Sequence, residues 1–421
     1  MKSSARVIVM LFAIVAIVII LLVFSQKSKE RARKTLVEDY AAEITEIEMP
    51  ARDPEAGDGK EVRMIRQLVV GCSSEKLVDL REFGSLMAKV GQPTVLDLTG
   101  APNLQSFQGV EQMSGLESLV AIDCPKLVSA EGVAGHTGLR ELVFTDSQAF
   151  ADASAVKGLP NLDTLDFSGC EALSGVDVSG LSGLKNLYLS RCRNLKVLNV
   201  GALSGLLQLY LDGCGGLETL EGLSHLTSLT DLDLSNASSL TQIDGVEELK
   251  SLIVLDIRNV ALEDFSGIGK LPTLRVLRMG GQDSLETLEP FTHMESLREI
   301  HLEACANFRS LKGLPPNVSQ YAGFTYCPKL TSLEGVEVAT SLEQLDMTGC
   351  ENLKDISALA SLENLIQLSL VKCRQVTDIS VIEGLDKLLI AMMGGSGVPP
   401  ATTEDFEPAN KDLILDFTIS E

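Results

Sequence analysis

A short leucine motif recurs every 22 or 23 residues along most of this chain. Its first half reads LxxLxLxxC, as in LLQLYLDGC from Leu206, and leucine then continues at every third position. The alternating Leu-x-Leu predicts a short strand with both leucines on one face. Leucines three residues apart suit a tight 3₁₀-like return better than an α-helix, whose period is 3.6 residues.

One such coil cannot cover its own apolar edges, so copies must stack on each other to form a core. The composition agrees, because 45% of the residues are hydrophobic but only 4% are aromatic, which leaves a core of repeated aliphatic side chains. Degenerate copies fill the gaps between clear ones, and we expect about fourteen coils over residues 93–396. The clear copies begin at Leu116, Leu162, Leu184, Leu206, Leu297, Leu342 and Leu365.

Cysteine occupies the ninth position of many coils, just past the predicted strand. Successive coils would place these thiols in a line about 4.8 Å apart, which suits neither tetrahedral zinc nor facing disulfide partners. We therefore predict a buried structural ladder in which each thiol is a weak donor to a carbonyl, and we expect no metal and no cofactor. Its members are Cys124, Cys170, Cys192, Cys214, Cys305, Cys327, Cys350 and Cys373.

These motifs resemble the leucine-rich-repeat family, in particular its cysteine-containing members and the short repeats of bacterial internalins. The resemblance implies an α/β-type solenoid, a superhelix with a curved parallel β-sheet and 3₁₀ or irregular returns. It also implies that the concave face of the sheet binds a protein ligand. Cysteine stands here where the family commonly has asparagine.

Eighteen apolar residues without a charge, Val7–Phe24, nearly match the thickness of a bilayer. The sequence predicts one transmembrane helix, an uncleaved signal anchor, because the run is longer than a secretory h-region. Five Lys/Arg residues follow it, and this bias weakly favours a cytoplasmic-facing solenoid. An extracytoplasmic solenoid is the alternative, since long domains are exported despite such charges.

The remaining segments complete the predicted domain organisation. Residues 1–6 form a short tail, residues 25–62 a basic juxtamembrane segment and linker, and residues 63–92 an amino-terminal cap. The cap contains a helical spacing at Leu77, Leu80, Phe83, Leu86 and Val90. Residues 397–421 break the repeat and form a carboxy-terminal cap with one strand.

The x positions of the predicted strand point away from the core onto the exposed face of the sheet. Four of the five tyrosines map to that face, and tyrosine is a common binding anchor, although it also favours strands for packing alone. Asp166 shares the fifth position of the motif. The candidate ligand-binding residues are Tyr188, Tyr210, Arg191, Asp233, Asp256, Arg258, Arg278, His301, Tyr321 and Tyr326.

Function is expected to be recognition and not catalysis. His136, His225 and His293 fall on separate returns, where we expect solvated side chains that cannot converge on a metal or a triad. A net charge of −23 disfavours nucleic acid. We expect a membrane-anchored scaffold or receptor-like protein with a protein partner; the alternatives are an envelope-structural spacer, an adhesin, or a regulatory subunit of an enzyme on another chain.

Overall fold

The computed structural model describes residues 24–50, 64–399 and 406–418. The chain divides into two compact units, Met1–Ala172 and Leu173–Glu421, which are described in turn. The predicted membrane span lies outside the described residues except for Phe24. Among the residues that are described, no helix combines the length and the apolar character needed to cross a bilayer.

The first unit begins with helix α1, residues 24–40, which is followed by strand β1, Glu43–Pro50. Strand β2, Met64–Gly71, pairs antiparallel with β1, so that Ile44 faces Val70. Leu36 of α1 is fully buried, and Tyr40 contacts Phe83 edge-to-face with ring centroids 5.6 Å apart. A packed helix and a paired strand therefore occupy part of the segment that the sequence assigned to a basic juxtamembrane helix and linker.

Helix α2, Arg81–Val90, lies in the predicted cap but starts later than the sequence pattern suggested. Phe83, Met87 and Val90 are buried at i, i+4 and i+7, which places them on one helical face. Leu86 was expected on that face, yet it is only half-buried. Leu77 and Leu80 precede the helix, so extending their spacing into it gave the wrong register.

Short parallel strands follow, one in each coil. In the first unit, β2 continues in register into β3 Val95–Asp97, β4 Ser118–Val120, β5 Glu141–Val143 and β6 Thr164–Asp166. The returns contain 3₁₀ segments at Val110–Gln112 and Ser154–Gly158. The predicted alternation of strand and 3₁₀ return is confirmed in these coils.

The second unit repeats this arrangement. Its coil strands are β7 Asn186–Tyr188, β9 Gln208–Tyr210, β11 Asp231–Asp233, β12 Val254–Arg258, β13 Val276–Gly280, β14 Glu299–Glu303, β15 Tyr321–Thr325, β16 Gln344–Asp346, β17 Gln367–Ser369 and β18 Ile390–Met392. They form one parallel sheet that ends with β19, Ile414–Asp416. Strands β8 Val197–Asn199 and β10 Thr219–Glu221 pair separately on the returns. Described 3₁₀ segments are Leu223–His225, Val246–Glu248, Ile268–Lys270, Glu289–Phe291, Val336–Val338, Ser357–Ser361 and Ser380–Gly384.

The ninth-position side chains connect neighbouring coils from inside the core. All eight ninth-position cysteines are fully buried, and none of them forms a disulfide. The thiol of Cys350 donates to the carbonyl of Phe324 in the preceding coil at 2.8 Å, and that of Cys124 donates to Leu98 at 3.2 Å. Burial raises the pKa of the Cys214 thiol to about 12, so the thiol keeps the proton that it donates.

The residue before the ninth position has a left-handed backbone in all fourteen coils between residues 93 and 396. Glycine, asparagine and aspartate, which tolerate this conformation, fill ten of the positions. Four coils use other residues, which costs about 1–2 kcal/mol each. These four are Arg191, Ala304, Tyr326 and Lys372. Strand β15 ends at Thr325, so the prediction that Tyr326 occupies a strand position is wrong.

Candidate functional site

A single row of side chains crosses the exposed face of the sheet in the second unit. Because its parallel strands pair without a shift, the fifth positions of successive coils are direct cross-strand neighbours. We call this set the fifth-position row. It runs in the order Tyr188, Tyr210, Asp233, Asp256, Arg278, His301, Gly323 and Asp346.

Tyr188 and Tyr210 form the aromatic end of the row. Their rings stack with centroids 5.3 Å apart and planes 12° from parallel, and the Tyr188 hydroxyl donates to Gln208 Oε1 at 2.5 Å. Both side chains are half-buried, so each keeps part of its surface open. Burial raises the pKa of Tyr210, and the carboxylates of Asp231, Asp233 and Asp212 raise it further.

The fifth-position aspartates have a structural task that the sequence analysis missed. Asp233 Oδ1 accepts the backbone N–H of Ser235 at 2.8 Å, and Asp346 Oδ1 accepts that of Thr348 at 2.9 Å. Asp166 makes the same contact in the first unit. Each contact steadies the backbone just before the left-handed residue. The hydrogen bond to the turn is therefore a sufficient reason for aspartate at this position, whether or not a ligand binds there.

Asp256 and Arg258 form an internal ion pair. The Asp256 side chain is only 5% exposed and accepts the Arg258 guanidinium twice, at 2.6 Å from Nη2 to Oδ2 and 2.9 Å from Nε to Oδ1. The hydrogen bond to Asp256 raises the pKa of Arg258. This bidentate pair commits Asp256 to Arg258, so Asp256 is not the open acidic group that the sequence suggested.

A second aromatic cluster forms around Tyr321. Its ring stacks on His301 with centroids 4.4 Å apart, and its hydroxyl donates to Asp346 Oδ2 at 3.3 Å. The ring lies across Gly323, where an added Cβ would approach the Tyr321 hydroxyl oxygen to 2.6 Å. Arg278 and these residues line a shallow pocket of about 320 Å³. Glycine at the fifth position of the repeat motif, Gly323, was the sequence feature that could have indicated this cluster, because glycine inside a strand often marks a close approach by another group.

The charge state of the cluster follows from its surroundings. Burial lowers the pKa of His301, and Arg278 and Arg258 lower it further, while Glu299, 3.4 Å from His301 Nε2, opposes the shift. His301 is therefore neutral near pH 7. Burial also raises the pKa of Tyr321, and the charge of Asp346 adds to the effect.

Two candidates lie beside the fifth-position row and not in it. Arg191 and Tyr326 both occupy the left-handed eighth position of their coils and are exposed. The Tyr326 ring lies over Gly349 of the next coil, where any larger residue would collide with it. These two side chains therefore lie outside the fifth-position row.

The histidine expectations are only partly met. His136 is buried, and its Nε2 lies 2.9 Å from the carbonyl of Met113, so it is not the solvated side chain that its place on a return suggested. His225 is exposed on its 3₁₀ segment. Within the described part of the chain, no group of three or more His, Cys, Asp or Glu residues is arranged to hold a metal ion.

Comparisons with known proteins bear on the fold. No protein-family model and no curated protein matches this sequence. An internalin from Listeria monocytogenes has a similar structure, with TM-score 0.57, 18% identity, and coverage of 77% of this chain and 86% of that chain. A leucine-rich-repeat protein from Leptospira interrogans gives 0.53 and 20%, covering 77% and 95% respectively.

A third solved structure is that of TLR13 in complex with ssRNA13, with TM-score 0.59 and 18% identity. The match covers 80% of this chain and 56% of that chain. These three neighbours establish a leucine-rich-repeat fold for the chain and indicate no enzyme family.

The histidine environment gives a testable prediction. Substituting Arg278→Ala should raise the pKa of His301, because a nearby positive charge that opposes protonation is removed. Substituting Glu299→Gln should lower the same pKa, because the favourable carboxylate is lost. A proton NMR titration of the imidazole C2–H resonances measures both. An unchanged His301 midpoint in Arg278→Ala would contradict the assigned effect of the Arg278 charge on this imidazole.

Proposed function

We propose that this leucine-rich-repeat protein is a non-catalytic recognition module that binds a protein partner through the exposed face of the sheet in its second unit. The observation that supports this most directly is the fifth-position row, which presents aromatic and charged groups in register on neighbouring strands. Half-buried tyrosines are effective anchors, since a rigid ring adds contact area at little cost in side-chain entropy.

The two units differ in what they expose at this position. The corresponding row of the first unit contains Asp97, Val120, Val143 and Asp166, without an aromatic residue. In the second unit the two stacked tyrosines and the His301–Tyr321 pair supply four aromatic rings on the same face. We therefore assign recognition to the second unit.

A protein is the preferred class of partner. The chain carries a net charge of −23, and the carboxylates around Tyr210 would repel phosphates, which disfavours nucleic acid. The row contains aromatic, anionic and cationic side chains, and a polypeptide can offer apolar, cationic and anionic groups that match all three. The scaffold or receptor-like role predicted from the sequence fits this surface.

Loss of the two stacked rings should abolish partner binding. A photoreactive phenylalanine analogue at position 210 would capture the partner in cells, and binding of the purified partner would then be compared among variants. We expect Tyr188→Ala/Tyr210→Ala to weaken binding by several hundredfold, since aromatic anchors contribute about 2 kcal/mol or more each and the two losses together come to about 4 kcal/mol.

Val197→Ser is the matched control, because Val197 is exposed on the separate two-stranded sheet of the returns. It should leave the affinity unchanged. Equal binding by the wild type and the double tyrosine variant would rule out the proposed face.

We further propose that residues 7–24 anchor the protein in a lipid bilayer, with the repeats facing the cytoplasm. The support is the uninterrupted apolar run and the five basic residues after it. The described residues that follow are helical and exposed up to Arg31, as a juxtamembrane segment requires.

Thiol labelling tests this orientation. Ser28 is exposed, whereas all nine native cysteines are buried, so Ser28→Cys would be the main reactive site. A membrane-impermeant maleimide should label Ser28→Cys only after cell lysis, with the wild type as background. Labelling in intact cells would place the repeats outside and favour the adhesin alternative.

A further inference from the structure

Several carboxylates lie on the exposed face around Tyr210. Asp212 accepts the hydroxyl of Ser190, and Asp231 accepts that of Thr230 at 2.6 Å, so both carboxylates are held by neutral donors. Among the described residues, neither carboxylate forms an ion pair. Arg258, in the coil that follows the coil of Asp231, is bound to Asp256.

Two further features make this end of the face suitable for a cation. Burial raises the pKa of Asp233, and the charges of Asp256 and Asp212 add to this effect, while the hydrogen bonds from Ser235 oppose it. The ring of Tyr210 lies among the same carboxylates, and an aromatic face attracts a cation. A basic side chain bound at this end would relieve the repulsion among the carboxylates and contact the ring.

The next strands carry an open positive charge. Arg278 on β13 lies in register between Asp256 and His301, but Asp256 is already engaged by Arg258 and His301 is neutral near pH 7. No hydrogen bond or ion pair of the Arg278 side chain occurs within the described ranges. Arg278 also lines the pocket beside Tyr321, whose ring covers Gly323.

Negative groups also line this pocket, but one of them is engaged. Asp346 accepts the hydroxyls of Tyr321 and Thr348, the latter at 2.6 Å. Glu303 lies on β14, in register with Gly280 and Thr325. Arg278 is therefore a cation of the pocket that no carboxylate engages by a hydrogen bond among the described residues, and a guanidinium pairs well with a carboxylate.

The spacing of these two ends indicates the form of the ligand. Three strand intervals separate Tyr210 from Arg278, which is about 14 Å. An extended polypeptide advances about 3.3 Å per residue, and residues i and i+4 project to the same side. We propose, as a refinement that rests on the function given above, that the face binds an extended segment of the partner with a basic and an acidic residue four positions apart.

The proposal can be tested with defined peptides and the full chain in detergent. The probes are fluorescently labelled, end-capped Gly/Ser peptides that carry Lys and Glu, Lys and Lys, or Glu and Glu four residues apart. Fluorescence anisotropy should show that the wild type prefers the Lys/Glu peptide by about tenfold. The preference should shrink at high salt, and also when Lys and Glu are only two residues apart.

Charge reversal provides the decisive comparison. Arg278→Glu should switch the preference to the Lys/Lys peptide, and Asp231→Lys should switch it to the Glu/Glu peptide. Arg275→Glu is the matched control for the first variant, because Arg275 is an exposed residue just before the same strand but outside the fifth-position row. This control changes the net charge equally and should keep the wild-type preference.

The outcomes separate this proposal from the broader one. If the peptides bind without charge preference, or if Arg275→Glu switches specificity as Arg278→Glu does, the assignment of charges is wrong. The recognition face would still stand in that case, provided that Tyr188→Ala/Tyr210→Ala abolishes binding of the captured partner. If Tyr188→Ala/Tyr210→Ala still binds both the Lys/Glu peptide and the captured partner, both proposals are wrong.

Discussion

Everything on the exposed face depends on the unshifted stacking of one coil on the next. Each coil buries leucines that no other part of the coil can cover, and burying one such side chain contributes about 2 kcal/mol. The same contact sets the strand register, because a slip of one residue would turn the leucines toward solvent. Once the leucines are aligned, the fifth positions are aligned too, so a recognition row arises from core packing alone.

The cysteine ladder and the left-handed turn both follow the strand of a coil, and both support this register. The ninth-position thiols of Cys124, Cys170, Cys214, Cys350 and Cys373 donate to carbonyls of the preceding coil inside the core. At Ser147 a hydroxyl replaces the thiol and donates to the carbonyl of Ala121 at 3.0 Å. Just before this position, every coil makes a left-handed turn that suits glycine or asparagine. Arg191 and Tyr326 occupy it at a conformational cost, and both project beside the proposed binding row. Backbone strain of this kind is often found at functional sites.

Local pattern was enough to predict the coils, the buried cysteines and the cross-strand position of Tyr188 beside Tyr210, because each follows from periodicity and strand spacing. It failed where distant residues decide the structure. Strand β1 forms because β2 pairs with it across a chain separation that no short motif reveals. Asp256 looked open until its pairing with Arg258 was visible, and Gly323 gains meaning only from the ring of Tyr321 that covers it.

The central claim is that ligands engage the exposed face of the sheet in the second unit and not the returns. Hydrogen–deuterium exchange of the full chain, with and without its captured partner, tests this most directly. The account predicts slower exchange confined to the strands that carry the row and the turns just after them, residues 186–191, 208–213, 231–236, 254–259, 276–281 and 299–304. Residues 196–203 and 219–225 on the returns should be unchanged. Slower exchange on the returns, with the sheet strands unaffected, would contradict it.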